Sequence, residues 1–427
     1  MKLNFKYFII FINLLLNGFL FSQNNLIDEI QISGNKNTKD KIILREIYQE
    51  KNSFLDSSVV KSDIQRLLNL GIFTDVRFEV KTIQDRLILN YHVIEHSLKI
   101  IPGFTPIYSE EKGWSYAFFA EIMNFRGLNQ SLDAGMIIGE MNTIGISFKD
   151  PWIIGNHISF AFDIMLDEWN HTFLPYYLYR DYYGISFGKW WDYKLKLSLD
   201  LAFRKEKFSS KDLNFSTDEF KIFNIKPTFS YDKRDVYRNP TTGFLIFSIF
   251  DYNHIYNKDT YRLIVTNSFS KYFNFKNFTF GFNTSFSTLF GYDDQKMIKY
   301  FGGLNSIRGW KVPSSMNFKD SNDQYRFGNH NLIFSSEIRK DLIKYSSLNI
   351  MDLNFEKGLT SLIFYDIGFN SQELESLLIS NNLPLIGFGF GLRVPFLGNV
   401  IGPDFGWSYY NKNFISSAIH IRVGHKF

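Results

Sequence analysis

The stretch Asn277–Phe290, NFTFGFNTSFSTLF, constrains the fold more than any other feature of this chain. Phe278, Phe280, Phe282, Phe286 and Phe290 take one set of alternate positions; Thr279, Gly281, Asn283, Ser285 and Ser287 take the other. Side chains alternate across a strand, so this one has an apolar face and a polar face. Tyr193–Phe203, YKLKLSLDLAF, repeats the arrangement, with Leu195, Leu197, Leu199 and Leu201 opposite Lys194, Lys196, Ser198 and Asp200. HISFAFDIML and FNIKPTFSY behave the same way. A soluble sandwich also alternates, with its apolar face inward. Two features favour the reverse, lipid outside and a wet lumen inside. The apolar faces hold Phe, Leu and Ile for about ten residues, the span of a tilted transmembrane strand, and the opposite faces carry Lys, Asp, Asn and Ser. Clusters such as LPYYLYRDYY, GKWWDY and GWSYYN suit interfacial aromatic girdles. Spanning strands must then close into a ring, because lipid cannot satisfy an open edge.

Composition agrees with fine interleaving: 18% of residues are aromatic, yet mean hydropathy is −0.15. A net charge of +4 makes no case for nucleic acid, which needs a strongly basic face. The absence of cysteine excludes disulfides, thiol catalysis and Cys-based metal sites. At the N-terminus, Lys2 and Lys6 precede the apolar run Tyr7–Leu16, and Gly18 and Ser22 follow. That order predicts a secretory signal peptide over residues 1–22, cleaved near Ser22–Gln23, and export from the cytoplasm. No other apolar run is long enough for a membrane-spanning helix.

Residues 23–97 have mixed periodicity. LIDEIQIS alternates like a strand, and Thr38 is expected to cap a helix, KDKIILREI. Asp56 is expected to cap a second helix bearing Val59, Val60, Ile64, Leu67 and Leu68, with Gly71 ending it. Two alternating runs, Phe73–Val80 and Arg86–Glu95, complete a small strand, helix, helix, strand, strand domain. From residue 98 the helix signal disappears. Strand starts are predicted near Leu98, Trp114, Ser131, Asn142, His157, Tyr182, Tyr193, Phe220, Gly243, Tyr261, Phe278, Phe327, Leu359, Leu385, Val400 and Ser417. The expected fold is mainly β: an antiparallel transmembrane barrel of about 16 strands over 98–427, after one small α+β domain. An even count returns both ends of the barrel to one side, and the longest connection, Gly291 to Arg326, should lie outside the cell.

Several fragments occur in an order that resembles the outer-membrane assembly and translocation superfamily of BamA, TamA and the two-partner secretion transporters. The N-terminal region looks like a POTRA domain in IQISGNKNT, in the Asp63 to Val76 run with LLNLGIFTDV, and in the closing VIE. The barrel resembles the family (bacterial surface antigen type) at SFKDPWIIG, FSYDKRD, FGGLNSIRGW, SSEIRKDL, FYDIGF and AIHIRVGHKF. The resemblance implies that Arg308 folds back into the lumen to meet Asp366, with Glu337 as a second acidic neighbour. Alternation independently points Glu337, Arg339 and Asp366 inward. Gly302, Gly303 and Gly309 would let the loop approach the wall closely. A solvated arginine without a partner is the alternative.

The resemblance further implies a weak lateral seam between the first and last barrel strands. Here the first strand carries Pro102 and Pro106, which suit a sheet edge, and the last approaches Gly424 and Phe427. A static pore is the alternative. The POTRA-like domain would pair an incoming extended chain with an exposed strand edge, expected at Phe73–Val80 with Phe73, Val76, Phe78 and Val80; a spacer is the alternative. No nucleotide loop, zinc helix or hydrolase elbow appears, and His420 and His425 have opposite strand parity. The expectation is therefore a non-enzymatic outer-membrane protein with no cofactor and no metal, its N-terminal domain in the periplasm. It would insert or translocate unfolded outer-membrane or secreted polypeptides, in contact with outer-membrane lipid and with accessory periplasmic lipoproteins. A dedicated secretion pore or a lipid-handling barrel stays open, and a passive porin ranks last because it leaves the preceding domain unexplained.

Overall fold

The computed structural model of the protein describes residues 26–96, 100–109, 111–155, 157–192, 194–210, 216–237, 239–304, 306–313, 321–350, 353–379, 382–396 and 399–427. The expected signal peptide lies outside the described residues. The chain divides into two compact units, Met1–His96 and Ser97–Phe427. The first holds β1 (Ile27–Ser33), α1 (Asp40–Leu44), α2 (Ser57–Asn69), β2 (Phe73–Ile83) and β3 (Arg86–Glu95). Its sheet has the order β1-β3-β2, with β1 parallel and β2 antiparallel to β3. Asp56 caps α2 as its position predicts, accepting from the Ser58 and Val59 amides at 2.8 and 3.4 Å. Gly71 follows the C-cap at φ +74°, a left-handed conformation that lets the chain leave the helix. The first helix departs from expectation. It is five residues long, its N-cap residue is Lys39, and no side chain caps it. Thr38 is turned instead toward Glu95, whose Oε1 accepts from the Thr38 amide and hydroxyl, both at 2.7 Å. These charge-assisted bonds hold the Thr38 side chain on Glu95, and Lys39, one residue later, takes the N-cap position.

The second unit contains sixteen strands: β4 (Ile100–Ser109), β5 (Gly113–Phe125), β6 (Gln130–Gly139), β7 (Met141–Ile154), β8 (Ile158–Asn170), β9 (Tyr176–Trp191), β10 (Leu195–Ser210), β11 (Asp218–Asp232), β12 (Gly243–Ile255), β13 (Thr260–Phe275), β14 (Phe278–Gly291), β15 (His330–Ile350), β16 (Leu353–Ser371), β17 (Leu385–Phe396), β18 (Asn399–Tyr410) and β19 (Asn413–Val423). They form one antiparallel sheet in chain order. The sheet curls into a barrel: the Tyr300 hydroxyl, beyond β14, reaches Glu111, just past β4, at 2.6 Å. The two faces divide as the alternation requires. Phe278, Phe282 and Phe290 of β14 are exposed on the outer face, as are Ile419, Ile421 and Val423 of β19. Outward phenylalanines and isoleucines in every strand are tolerable only against lipid. Near one end of β9 to β12, Tyr176, Leu178, Phe208, Phe220, Ile222 and Ile255 turn inward instead and form a closed apolar cluster.

In the first unit the helices and the sheet are joined by one buried carboxylate. Asp63 of α2 accepts from the Tyr48 and Gln49 amides at 2.9 and 3.2 Å and from the Tyr91 hydroxyl at 2.6 Å, and it pairs with Arg66. Burial, and then the bond to Asp63, push the Tyr91 hydroxyl well above the usual phenol range. Truncation to Asp63→Ala leaves the Arg66 charge and two buried donors without their acceptor, at a cost of about 3 kcal/mol. The expected result is roughly hundred-fold faster hydrogen exchange of the β3 amides in the full chain, with the barrel strands unaffected.

Candidate functional site

The connection from β14 to β15 folds back into the barrel. Phe301, Ile307, Trp310 and Leu385 make a buried apolar cluster there, and the Trp310 indole donates to the Ile386 carbonyl at 2.9 Å. At the tip the Arg308 side chain has no exposed surface. Its Nε and Nη2 donate in parallel to the two oxygens of Asp366, each at 2.9 Å, and its own amide donates to Asp366 at 3.1 Å. Its Nη1 reaches Glu337 at 2.5 Å and lies 4.0 Å from Asp404. The guanidinium stacks 3.9 Å from the centre of the Phe364 ring. Arg308, Asp366 and Glu337, picked out in the sequence, are thus in direct contact.

Gly309 explains how a loop can come so close. It has φ +89°, and an added Cβ would stand 2.6 Å from the Trp407 carbonyl oxygen of β18. Its amide donates to His420 Nε2 of β19 at 3.0 Å. Gly302 and Gly303 lie in the turn before the tip, and the Gly303 amide closes on the Trp310 carbonyl at 2.8 Å.

The wall beneath the tip is also built from glycine. In GFGFG of β17, Phe388 and Phe390 face outward and Gly387 and Gly389 face the lumen. A Cβ on Gly387 would strike the Arg308 carbonyl, and one on Gly406 of β18 would stand 2.7 Å from Gly309. This track escaped sequence reasoning, although the parity of GFGFG, phenylalanine out and glycine in, was a signal for it. Also missed was Asp404, which takes both carboxylate contacts of Arg393 Nη2 at 2.7 and 2.9 Å; Arg339, which alternation pointed inward, donates to Glu337 at 2.7 Å.

The seam residues are placed differently from one another. Every pair of consecutive barrel strands is hydrogen-bonded, but no ladder joins β4 to β19 among the described residues. Pro102 and Pro106 lie in β4 and pair with Ala120 and Tyr116 of β5. Phe427 is not in the outward row of β19. Gly424 turns the chain at φ +84°, and Phe427 lies in the lumen with its ring centre 6.0 Å from that of Tyr272 in β13. That turn also overturns the parity argument for His425, which is buried inside the barrel as His420 is. Among the described residues no group of three or more His, Asp or Glu side chains is arranged for a metal ion. In the first unit β2 is an edge strand, bonded only to β3. Phe73 and Val76 face the core, whereas Phe78 and Val80 are exposed.

Removing the guanidinium would leave Asp366 and Glu337 buried with less compensation, so Arg308→Ala is expected to destabilise the barrel by about 3–5 kcal/mol. Arg308→Lys keeps the charge but loses the parallel pair, and should fall between the two. The temperature at which the folded, fast-migrating electrophoretic form converts to the unfolded one checks both.

The Omp85 superfamily domain matches residues 124–427, and the POTRA family, a surface antigen variable number repeat, matches residues 26–96. The outer membrane protein assembly factor BamA of Neisseria meningitidis is 25% identical over 145 residues, 32% of this chain and 18% of that protein. The alignment therefore spans under a fifth of that relative. The crystal structure of Haemophilus ducreyi BamA lacking POTRA domains 1–3 shares the fold with a TM-score of 0.57 at 16% identity, over 93% of this chain and 84% of that one. CdiB from Acinetobacter baumannii does so with a TM-score of 0.54 at 12% identity, over 94% and 74%. The chain belongs to the Omp85 superfamily, as an outer-membrane β-barrel with a periplasmic POTRA-like domain.

Proposed function

We propose that the protein passes extended polypeptides into or across the outer membrane at the boundary between β4 and β19. The observation that carries this reading is the unpaired boundary itself, the one place in the barrel sheet where consecutive edges lack a ladder among the described residues. Pro102 and Pro106 share a parity, so their missing N–H groups fall on the same edge of β4. The ladder from β4 to β5 runs unbroken from Ile100 to Ser109. It stays intact only when the prolines face the seam, where they leave fewer donors to satisfy.

Clients would be unfolded outer-membrane or secreted polypeptides, received in the periplasm by the free edge of β2. That edge offers main-chain hydrogen bonds to any extended chain, with Phe78 and Val80 beside it. Accessory lipoproteins would dock on the same domain, and lipid would accept strands released sideways. The preceding POTRA-like domain weighs against a passive porin, which leaves it unexplained.

The native chain has no cysteine, so Thr105→Cys in β4 and Ser417→Cys in β19 would be its only thiols. In proteoliposomes, bridging them with a bifunctional methanethiosulfonate should reduce insertion of a urea-denatured barrel client at least ten-fold, and dithiothreitol should restore it. Undiminished insertion by the bridged protein would remove the seam from the mechanism.

A further inference from the structure

Beyond Val423 the chain leaves the barrel wall. The Gly424 amide donates to the Val400 carbonyl at 2.6 Å, and the left-handed turn at Gly424 directs the next three residues into the lumen. Lys426 Nζ lies 2.8 Å from Asp366 Oδ2, the oxygen that also accepts from Arg308 Nε. His425 is buried, with Nδ1 4.0 Å from Glu337. The Phe427 ring rests on Gly281 of β14, where an added Cβ would stand 3.0 Å from it, and against Tyr272 of β13. The Arg339 guanidinium lies 5.7 Å from the centre of the same ring and donates to the Phe427 carbonyl at 3.5 Å. Gly281 is the lumen-facing glycine of NFTFGFNTSF, so the seat is a gap in the polar face with a ring in it.

We propose that Gly424–Phe427 form an internal latch: with Phe427 seated on Gly281 and Tyr272, the end of β19 is tied to a wall five strands away, and β19 cannot swing outward until the segment is withdrawn. Three contacts along the segment act on one rigid strand end, and two of them end on β15 and β16, which carry the partners of Arg308. Lys426 and Arg308 thus share one acceptor, Asp366 Oδ2. The aromatic seat supplies the docking, and the Lys426–Asp366 pair adds a second hold. The consequence for gating rests on the seam proposed above; the docking does not.

A reporter at His425→Cys in the full-length protein tests the docking through its reaction with a water-soluble maleimide. Labelling should be at least thirty-fold slower than at Lys276→Cys, in the exposed turn between β13 and β14. It should accelerate at least ten-fold when Phe427→Ala empties the seat or Gly281→Val fills it. Equal labelling at the two reporters, or no acceleration by either variant, overturns the latch. The second arm bridges Gly281→Cys to Phe427→Cys with the same reversible thiosulfonate used at the seam. Client insertion should fall at least five-fold and recover with dithiothreitol. If the seam bridge stops insertion and this bridge does not, the seam stands and the latch is overturned. If neither bridge affects insertion, the seam fails, and the latch then has no gate to hold and falls with it, whatever the labelling shows.

Discussion

A guanidinium with no exposed surface cannot relieve its burial by losing a proton, so everything around Arg308 must be arranged to keep it charged. Asp366 meets it in parallel, Glu337 meets its remaining nitrogen, and Phe364 covers its face. Each carboxylate would be as costly alone as the arginine would be. The loop tip and the wall of β15 and β16 are therefore stable only together, and the loop has one well-defined docked position. Such a pair adds little to stability over an apolar replacement, but it is severe on any arrangement that separates its members. Selectivity for a single loop position is what the geometry secures.

Docking a loop inside a barrel also requires space, and the chain makes it by omission. Gly387 of β17 and Gly406 of β18 leave bare backbone under Ile307, Arg308 and Gly309, and Gly389 leaves room for the Phe364 ring. The outer face of the same strands keeps Phe388, Phe390 and Trp407, so the lipid-facing surface is not weakened. Strand alternation lets one segment meet two unrelated demands, because successive residues answer to different solvents.

Much of this was legible from period alone. Sixteen strands, the inward orientation of Glu337 and Asp366, and the Asp56 cap all follow from local pattern, because alternation and capping are local physics. What failed was non-local. Thr38 looked like a cap until Glu95, far along the chain but adjacent across the sheet, took its hydroxyl. Asp404 and Arg393 gave no local sign of lying under the loop, and the GFGFG parity marked a bare lumen face without saying what covers it, since barrel curvature decides which strands face the loop tip. Parity carried His420 correctly and His425 wrongly, because it holds only while the backbone is extended, and Gly424 ends that with a left-handed turn.

Among the described residues the barrel sheet thus has a boundary without a ladder and an interior rich in contacts to β19. The Gly309 amide grips His420 of β19, and Arg422 of the same strand donates to the Leu304 carbonyl. In lipid, unpaired backbone donors and acceptors are costly, so a boundary without a ladder needs compensation from elsewhere. On the β4 side, prolines remove two of the donors. On the β19 side, the compensation comes from within the lumen, through side chains that bond the strand without using its free edge. Under the proposed mechanism, a strand held from inside would keep that edge available to an incoming chain, whereas a strand held by a ladder to β4 would have to break one hydrogen bond for each that it offered.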